Sequence, residues 1–154
     1  MPSPRIEPRP GERRLVLEMH QGHLWLQVKL IHPFHRTKSQ FMKAKIDTGT
    51  GRTVIPQDVV EWLAQKGDEL ARMGEAAPAK SGSESTLAEC FDVELEIHDG
   101  HGQIWRVNPS MLPPPLLGFP ALVRPWLLIG TDLLSQCIAF AYHGRDHEGY
   151  IIIP

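Results

Sequence analysis

The chain has 154 residues, enough for one domain with a real core, and 16 Lys and Arg against 18 Asp and Glu give a formal charge of −2. No basic block or stripe marks a nucleic-acid surface, and the longest apolar runs are far too short to span a bilayer. Two cysteines, Cys90 and Cys137, are expected as free, partly buried thiols, because a domain of this size does not need disulfide staples.

Residues 1–13 are polar and proline-rich and read as a flexible N-terminal arm. They lack the apolar core of a secretory signal, so the chain is expected in the cytoplasm. From Arg14 to Pro154 the text is that of one domain. Leu15, Leu17 and Met19 alternate with Val16 and Glu18, and after the turn residues Gln21 and Gly22, Leu24, Leu26, Val28 and Leu30 share one face of a second strand. A polar connection, His32 to Gln40, follows. Met42, Ala44 and Ile46 then point one way while Lys43, Lys45 and Asp47 point the other. Asp47 therefore closes a strand whose opposite face is buried.

Pro56 to Lys66 breaks the period of two. Proline suits the first helical position, Asp58 and Glu61 suit the positive end, Val59, Val60 and Leu63 form an apolar face, and Gly67 is a stop. Residues 74–85, GEAAPAKSGSES, are too small and polar to fill a core. Phe91, Val93, Leu95 and Ile97 alternate with Asp92, Glu94, Glu96 and His98 in the clearest strand of the chain, and HDGHG turns it back into Gln103–Val107. The proline-rich stretch 109–125 reads as an extended loop. Trp126 to Ile129 is a short strand, and Asp132 to Gln136 a single helical turn with Asp132 as its cap. Cys137–Tyr142 and Tyr150–Ile153 are strands around a turn. The fold class is all-β with one helix after the third strand and a short C-terminal one.

Two signals overlap in KAKIDTGTGRTVIP, residues 43–56. TGTGRT suggests a phosphate-cradling loop. A Walker loop, however, needs a glycine where Ile46 stands and a lysine where Arg52 stands, and its helix must begin at once rather than at Pro56. The crossover pattern of a parallel sheet is absent too. The second signal is an aspartate at a strand end, with Gly49 allowing close backbone approach and Thr48 able to bond across the turn.

Ile46-Asp47-Thr48-Gly49 followed by Thr53-Val54-Ile55 resembles the active-site segment of the retropepsins, the retroviral-type aspartic proteases. Leu128-Ile129-Gly130-Thr131-Asp132-Leu133-Leu134-Ser135 resembles the motif that family carries near the domain's end, in the same order and about eighty residues on. The resemblance covers Leu15 to Ile153 and implies a retropepsin-like barrel. It implies Asp47 as catalytic acid, Thr48, Gly49 and Thr50 as its support, and Gly130 and Asp132 as the C-terminal motif. Arg72–Thr86 becomes a substrate-covering flap, with Gly74, Ser81, Gly82 and Ser83 at its working part. Thr50 departs from the family's usual alanine or serine, and the flap lacks a dense glycine tip.

An aspartic protease needs two carboxyls sharing one proton, since like charges that close cannot both ionise. This chain has one Asp-Thr-Gly, so the resemblance implies a homodimer in which Thr48 bonds its mate and the terminal strands, Leu15–Met19 and Tyr150–Ile153, interleave between subunits. The substrate class is a peptide or protein, and neither a cofactor nor a metal is required. A different class is a catalytically weak retropepsin-like domain that dimerises or binds peptide. The His20/His23, His32/His35 and His98/His101 pairs show ligand-like spacing but fall mostly at turns, where surface histidines are the simpler reading. Trp25, Trp62, Trp105 and Trp126 read as scattered core and rim aromatics.

Overall fold

The computed structural model describes residues 5–33, 35–59, 72–81, 84–111 and 119–154. Twelve strands are defined in them, and they form two sheets. The larger is built on β1 (Arg13–His20), β2 (His23–Ile31), β3 (Met42–Ile46), β7 (Glu94–His98), β8 (Ile104–Val107), β10 (Leu127–Ile129), β11 (Ala139–His143) and β12 (Glu148–Ile153), in the order β10-β3-β2-β1-β12-β11. β2 is long enough to serve several neighbours. It pairs with β3 through Trp25–Val28, with β1 at its start, and with β7 through Gln27–Ile31, which brings in β8. The smaller sheet runs β4 (Ile55–Pro56), β9 (Phe119–Leu122), β6 (Glu84–Phe91), β5 (Arg72–Ser81).

The alternation read from the sequence decides which faces are buried. Leu15, Leu17, Leu26, Val28, Leu30, Ala44, Leu95 and Ile97 all join one core cluster, with Phe91, Phe119, Leu127, Ile129, Ile151 and Ile153. Period-two patterning sends every second side chain to that face. No helix among the described residues is long and apolar enough to cross a membrane.

Four local expectations change. The run Phe91–His98 is not one strand: β6 ends at Phe91, Val93 N–H bonds back to Phe91 O at 3.1 Å, and β7 starts at Glu94. That tight γ-type turn moves the chain from one sheet to the other, which alternation alone does not reveal. The proline-rich 109–125 stretch is not all loop. It opens with a 3-10 turn at Pro109–Met111 and holds β9, paired with both β4 and β6. Phe119 and Ala121 are buried on either side of Pro120, and that burial outweighs the proline's bias against strands. Pro56 ends β4 rather than beginning a helix, and helix appears at 57–59. The remainder of the expected helix, with Gly67, lies outside the described residues. Cys137 closes a helical turn through its N–H to Leu134 O, and strand pairing starts after it.

The terminal strands also behave differently from the interleaving implied for a dimer. β12 is sandwiched inside one chain, with β1 on one edge (Leu15 opposite Ile151) and β11 on the other (Phe140 opposite Ile151). The described part of the expected arm (residues 1–13) is tied to this sheet through Arg5 and Ile6. Ile6 N–H donates to the Tyr150 hydroxyl at 2.8 Å, Arg14 donates to Ile6 O, and Arg5 pairs with Glu148.

Candidate active site

Asp47 follows directly from β3, and β10 lies parallel to β3 with Leu128 beside Lys45 and Ile129 beside Ile46. The ladder continues one residue past the strand, where Asp47 N–H donates to Ile129 O at 2.9 Å. The other edge of β10 takes Val54, which exchanges two 2.9 Å backbone bonds with Leu128. Residues 47–53 thus form a loop whose two ends are held on opposite edges of one short strand. The 2.9 Å bonds at both ends are the reason a turn this polar holds one shape.

Within the loop, Gly49 N–H donates to Asp47 Oδ1 at 3.0 Å, which aims the carboxylate along the turn. Thr50 N–H reaches Asp47 O at 3.3 Å, and the Thr50 hydroxyl donates to Arg52 O. Asp47 is half-buried, while Thr48 and Gly49 are exposed. The Thr48 hydroxyl makes no hydrogen bond among the described residues.

The C-terminal motif meets this loop from behind. Thr131 N–H donates to Thr50 O at 2.9 Å. A methyl group on Gly130 would sit 2.7 Å from Arg52 C and 2.9 Å from Thr50 O, so the crossing has room for glycine alone. Asp132 corrects an expectation. The helical turn Thr131–Leu134, here α1, has Gly130 at its N-cap with no side-chain bond. The Asp132 carboxylate instead accepts Thr53 N–H at 2.9 Å and the Thr53 hydroxyl at 2.7 Å, as well as Leu133 N–H at 2.7 Å. The Thr53 hydroxyl also accepts Gly130 N–H at 3.1 Å. Thr53 is fully buried and joins both motifs; the sequence shows it as the start of the Thr53-Val54-Ile55 run, and its bonds to the C-terminal motif appear only in the fold.

Of the expected flap, β5 and β6 form an antiparallel hairpin with Ser81 opposite Glu84, which places Gly74 and Ser81 in β5. Gly82 and Ser83 lie outside the described residues. Cys90 and Cys137 are free, and burial pushes the Cys137 thiol up to about 12, so it has no nucleophilic character near neutral pH. Among the described residues, no three His, Cys, Asp or Glu come together as metal ligands. His32 departs from the surface reading: it is fully buried and its Nδ1 accepts His35 N–H at 3.2 Å.

A separate charged cluster lies on the outer face of β7. Glu96 is 3% exposed, and its oxygens meet Lys38 Nζ and His98 Nε2 at 2.8 Å and an Arg106 guanidinium nitrogen at 3.2 Å. Burial pushes this carboxyl up, but the hydrogen bonds and charges of Lys38 and His98 together outweigh it and hold the group at about 2.

No family model matches the chain, and no curated protein matches it. Among solved structures it is similar to a retropepsin-like aspartic protease from Rickettsia conorii, with 14% identity and a TM-score of 0.53 over 93% of this chain and 91% of that one. It is also similar to basic 7S globulin from soybean, with 16% identity and a TM-score of 0.51 over 91% of this chain. There it spans 41% of the other chain. These likenesses establish the fold, the all-β architecture of retropepsin-like acid proteases.

Proposed function

We propose that this protein is an aspartic endopeptidase that works as a homodimer, each chain supplying one Asp47. The observation that carries the reading is the single Asp47 carboxylate, half-buried on a loop clamped at both ends, with Gly49 N–H on one oxygen. The exposed Thr48 hydroxyl is consistent with a partner supplied by the second chain. One ionised Asp47 takes a proton from the water that attacks the scissile carbonyl. The protonated Asp47 of the other chain hydrogen-bonds the carbonyl oxygen and passes its proton to the leaving nitrogen. The β5–β6 hairpin is the element suited to cover the substrate.

On this reading the second copy seats on β11. This strand is an edge, and its register puts Phe140 on the same face as core residue Ile151. Yet Ile138, Phe140 and Tyr142 are 51%, 37% and 49% exposed. A core-side stripe left bare on an edge without proline or lysine is a self-pairing surface rather than a blunted edge. Antiparallel pairing of β11 with its copy satisfies the open backbone edge, sets the two apolar stripes side by side and extends the sheet through the two-fold axis.

Wild type and Asp47→Asn are to be compared on a random peptide library from acidic to neutral pH, with specific activity followed over a dilution series. The expected result is cleavage by wild type that falls away on dilution, and none by the variant, which stays folded and dimeric. Cleavage surviving in Asp47→Asn would overturn the chemistry. Full specific activity in a sedimenting monomer would overturn the shared dyad.

A further inference from the structure

We infer that the outer face of β3 is a substrate subsite for acidic side chains, read by Lys45 and Lys43, with Trp25 and Trp126 as its apolar floor. The inference rests on the peptidase reading above and names the class of peptide that the site prefers.

Lys43 and Lys45 share the face of β3 that ends at Asp47, opposite the core-facing Met42, Ala44 and Ile46. At the rise of a strand, the Cα atoms of Lys45 and Lys43 lie roughly 7 and 13 Å from that of Asp47. An extended peptide lying along β3 has the same rise, so the two ammonium groups face residues about two and four positions from the scissile bond. Strand pairing places Trp25 across from Lys45 and Gln27 across from Lys43.

Trp25 lies outside the core cluster, yet it is only 8% exposed. It is covered from its own side. Trp126 packs edge-on with ring centroids 5.2 Å apart, His23 does so at 6.3 Å, and Lys43 Nζ stands 5.9 Å from the ring centre. A cleft of about 90 Å³ opens there, lined by Glu18, His20, Trp25, Gln27 and Lys43.

The charges on this face are sorted. Far from Asp47, Lys38 and Arg106 are neutralised by Glu96 and Arg36 by Glu94, while Lys29 stands over the Phe41 ring. Lys43 and Lys45 have no ion pair among the described residues; Lys43 faces the Trp25 ring and lines the cleft together with Glu18. The carboxylate in the cleft, Glu18, sits one strand further out, because β1 places it opposite Trp25 on the side away from Lys45. Reading across the sheet, the row is Lys45, Trp25, Glu18: cation beside the catalytic strand, aromatic surface in the middle, anion beyond. An acidic side chain fits only the β3 side of this row. A neighbouring apolar side chain fits the tryptophans.

The test uses fluorogenic peptides that differ by Glu, Gln or Lys at single positions two to four residues from the cleaved bond, on either side. Wild type is expected to favour Glu over Lys at one or more positions by roughly tenfold, a modest share of what a like-charge contact costs at an interface. Lys43→Glu or Lys45→Glu should reverse the preference at one position each. Lys43→Gln and Lys45→Gln should flatten it, and they cover the case in which a reversed charge disturbs folding. In 1 M salt, where screening acts over about 3 Å, the wild-type preference should shrink.

The same peptides are titrated onto Asp47→Asn by tryptophan fluorescence. Charge-selective binding without any cleavage by wild type would leave the subsite standing and sink the peptidase reading. Cleavage that does not discriminate Glu from Lys, or a preference untouched by all four lysine variants, would overturn the subsite. Absence of charge-selective binding to Asp47→Asn would do the same.

Discussion

Replacing Gly130 with alanine tests whether the C-terminal motif shapes the catalytic loop. The backbone at Gly130 has φ −93°, a conformation alanine adopts freely, so any effect comes from space and not from glycine's backbone freedom. The added Cβ would lie 2.7 Å from Arg52 C, 2.8 Å from Arg52 O and 2.9 Å from Thr50 O. All three are main-chain atoms, so no side chain can rotate away. Ordinary contact begins near 3.4 Å, and restoring it requires a separation of about 0.7 Å between the two segments. That shift loads the Thr131 N–H to Thr50 O bond and the Gly130 N–H to Thr53 bond, both close to the crossing. The expected destabilisation is about 1–3 kcal/mol, the usual range for overpacking. A displacement of this size beside Asp47 is expected to lower turnover by about 100-fold. Urea unfolding gives the first quantity. Amide chemical shifts of Thr50, Gly51 and Arg52 report the movement without reference to activity. A variant with wild-type stability and unmoved shifts at these residues would refute the argument.

Thr53→Val keeps the shape but removes the hydroxyl that serves Asp132 and Gly130, and leaving those buried groups short of a partner should cost about 1–3 kcal/mol in denaturant unfolding. Glu96 supplies a pH effect with a defined sign. Its folded value, about 2, lies below the ordinary 4.5, so its contribution is present above that ordinary value and lost as pH falls towards 2. The shift corresponds to at most about 3 kcal/mol at neutral pH. Glu96→Gln should therefore flatten the stability profile between the two values, as read from unfolding midpoints against pH. Phe140→Lys with Tyr142→Lys places charge on exposed side chains of β11 and should give a folded monomer by sedimentation, inactive at concentrations where wild type is active. A dimer that survives both charges would move the interface elsewhere.

Much of this protein is legible before it folds, because the signals are local. Alternation at Leu15–Met19, Leu24–Leu30 and Met42–Ile46 encodes which face is buried, since side chains of a strand alternate whatever the partner is. The same alternation places Lys43 and Lys45 on the face that ends at Asp47. The aspartate turn and the Gly130–Asp132 segment are visible as motifs for the same reason: each is a run of a few residues with demanding chemistry.

What the sequence leaves open are the relations between distant segments. That Asp132 bonds Thr53 rather than capping its own helical turn depends on two segments 79 residues apart arriving side by side, which no local propensity encodes. β9 forms despite its proline because burial of Phe119 and Ala121 is a tertiary gain. β12 finds both its partners within the chain, so an apolar terminal strand that looks like an open edge in sequence is closed in the fold, and the bare edge falls instead on β11. Pairing is chosen by which edges meet and which apolar faces remain uncovered, and both are decided only when the whole sheet has assembled.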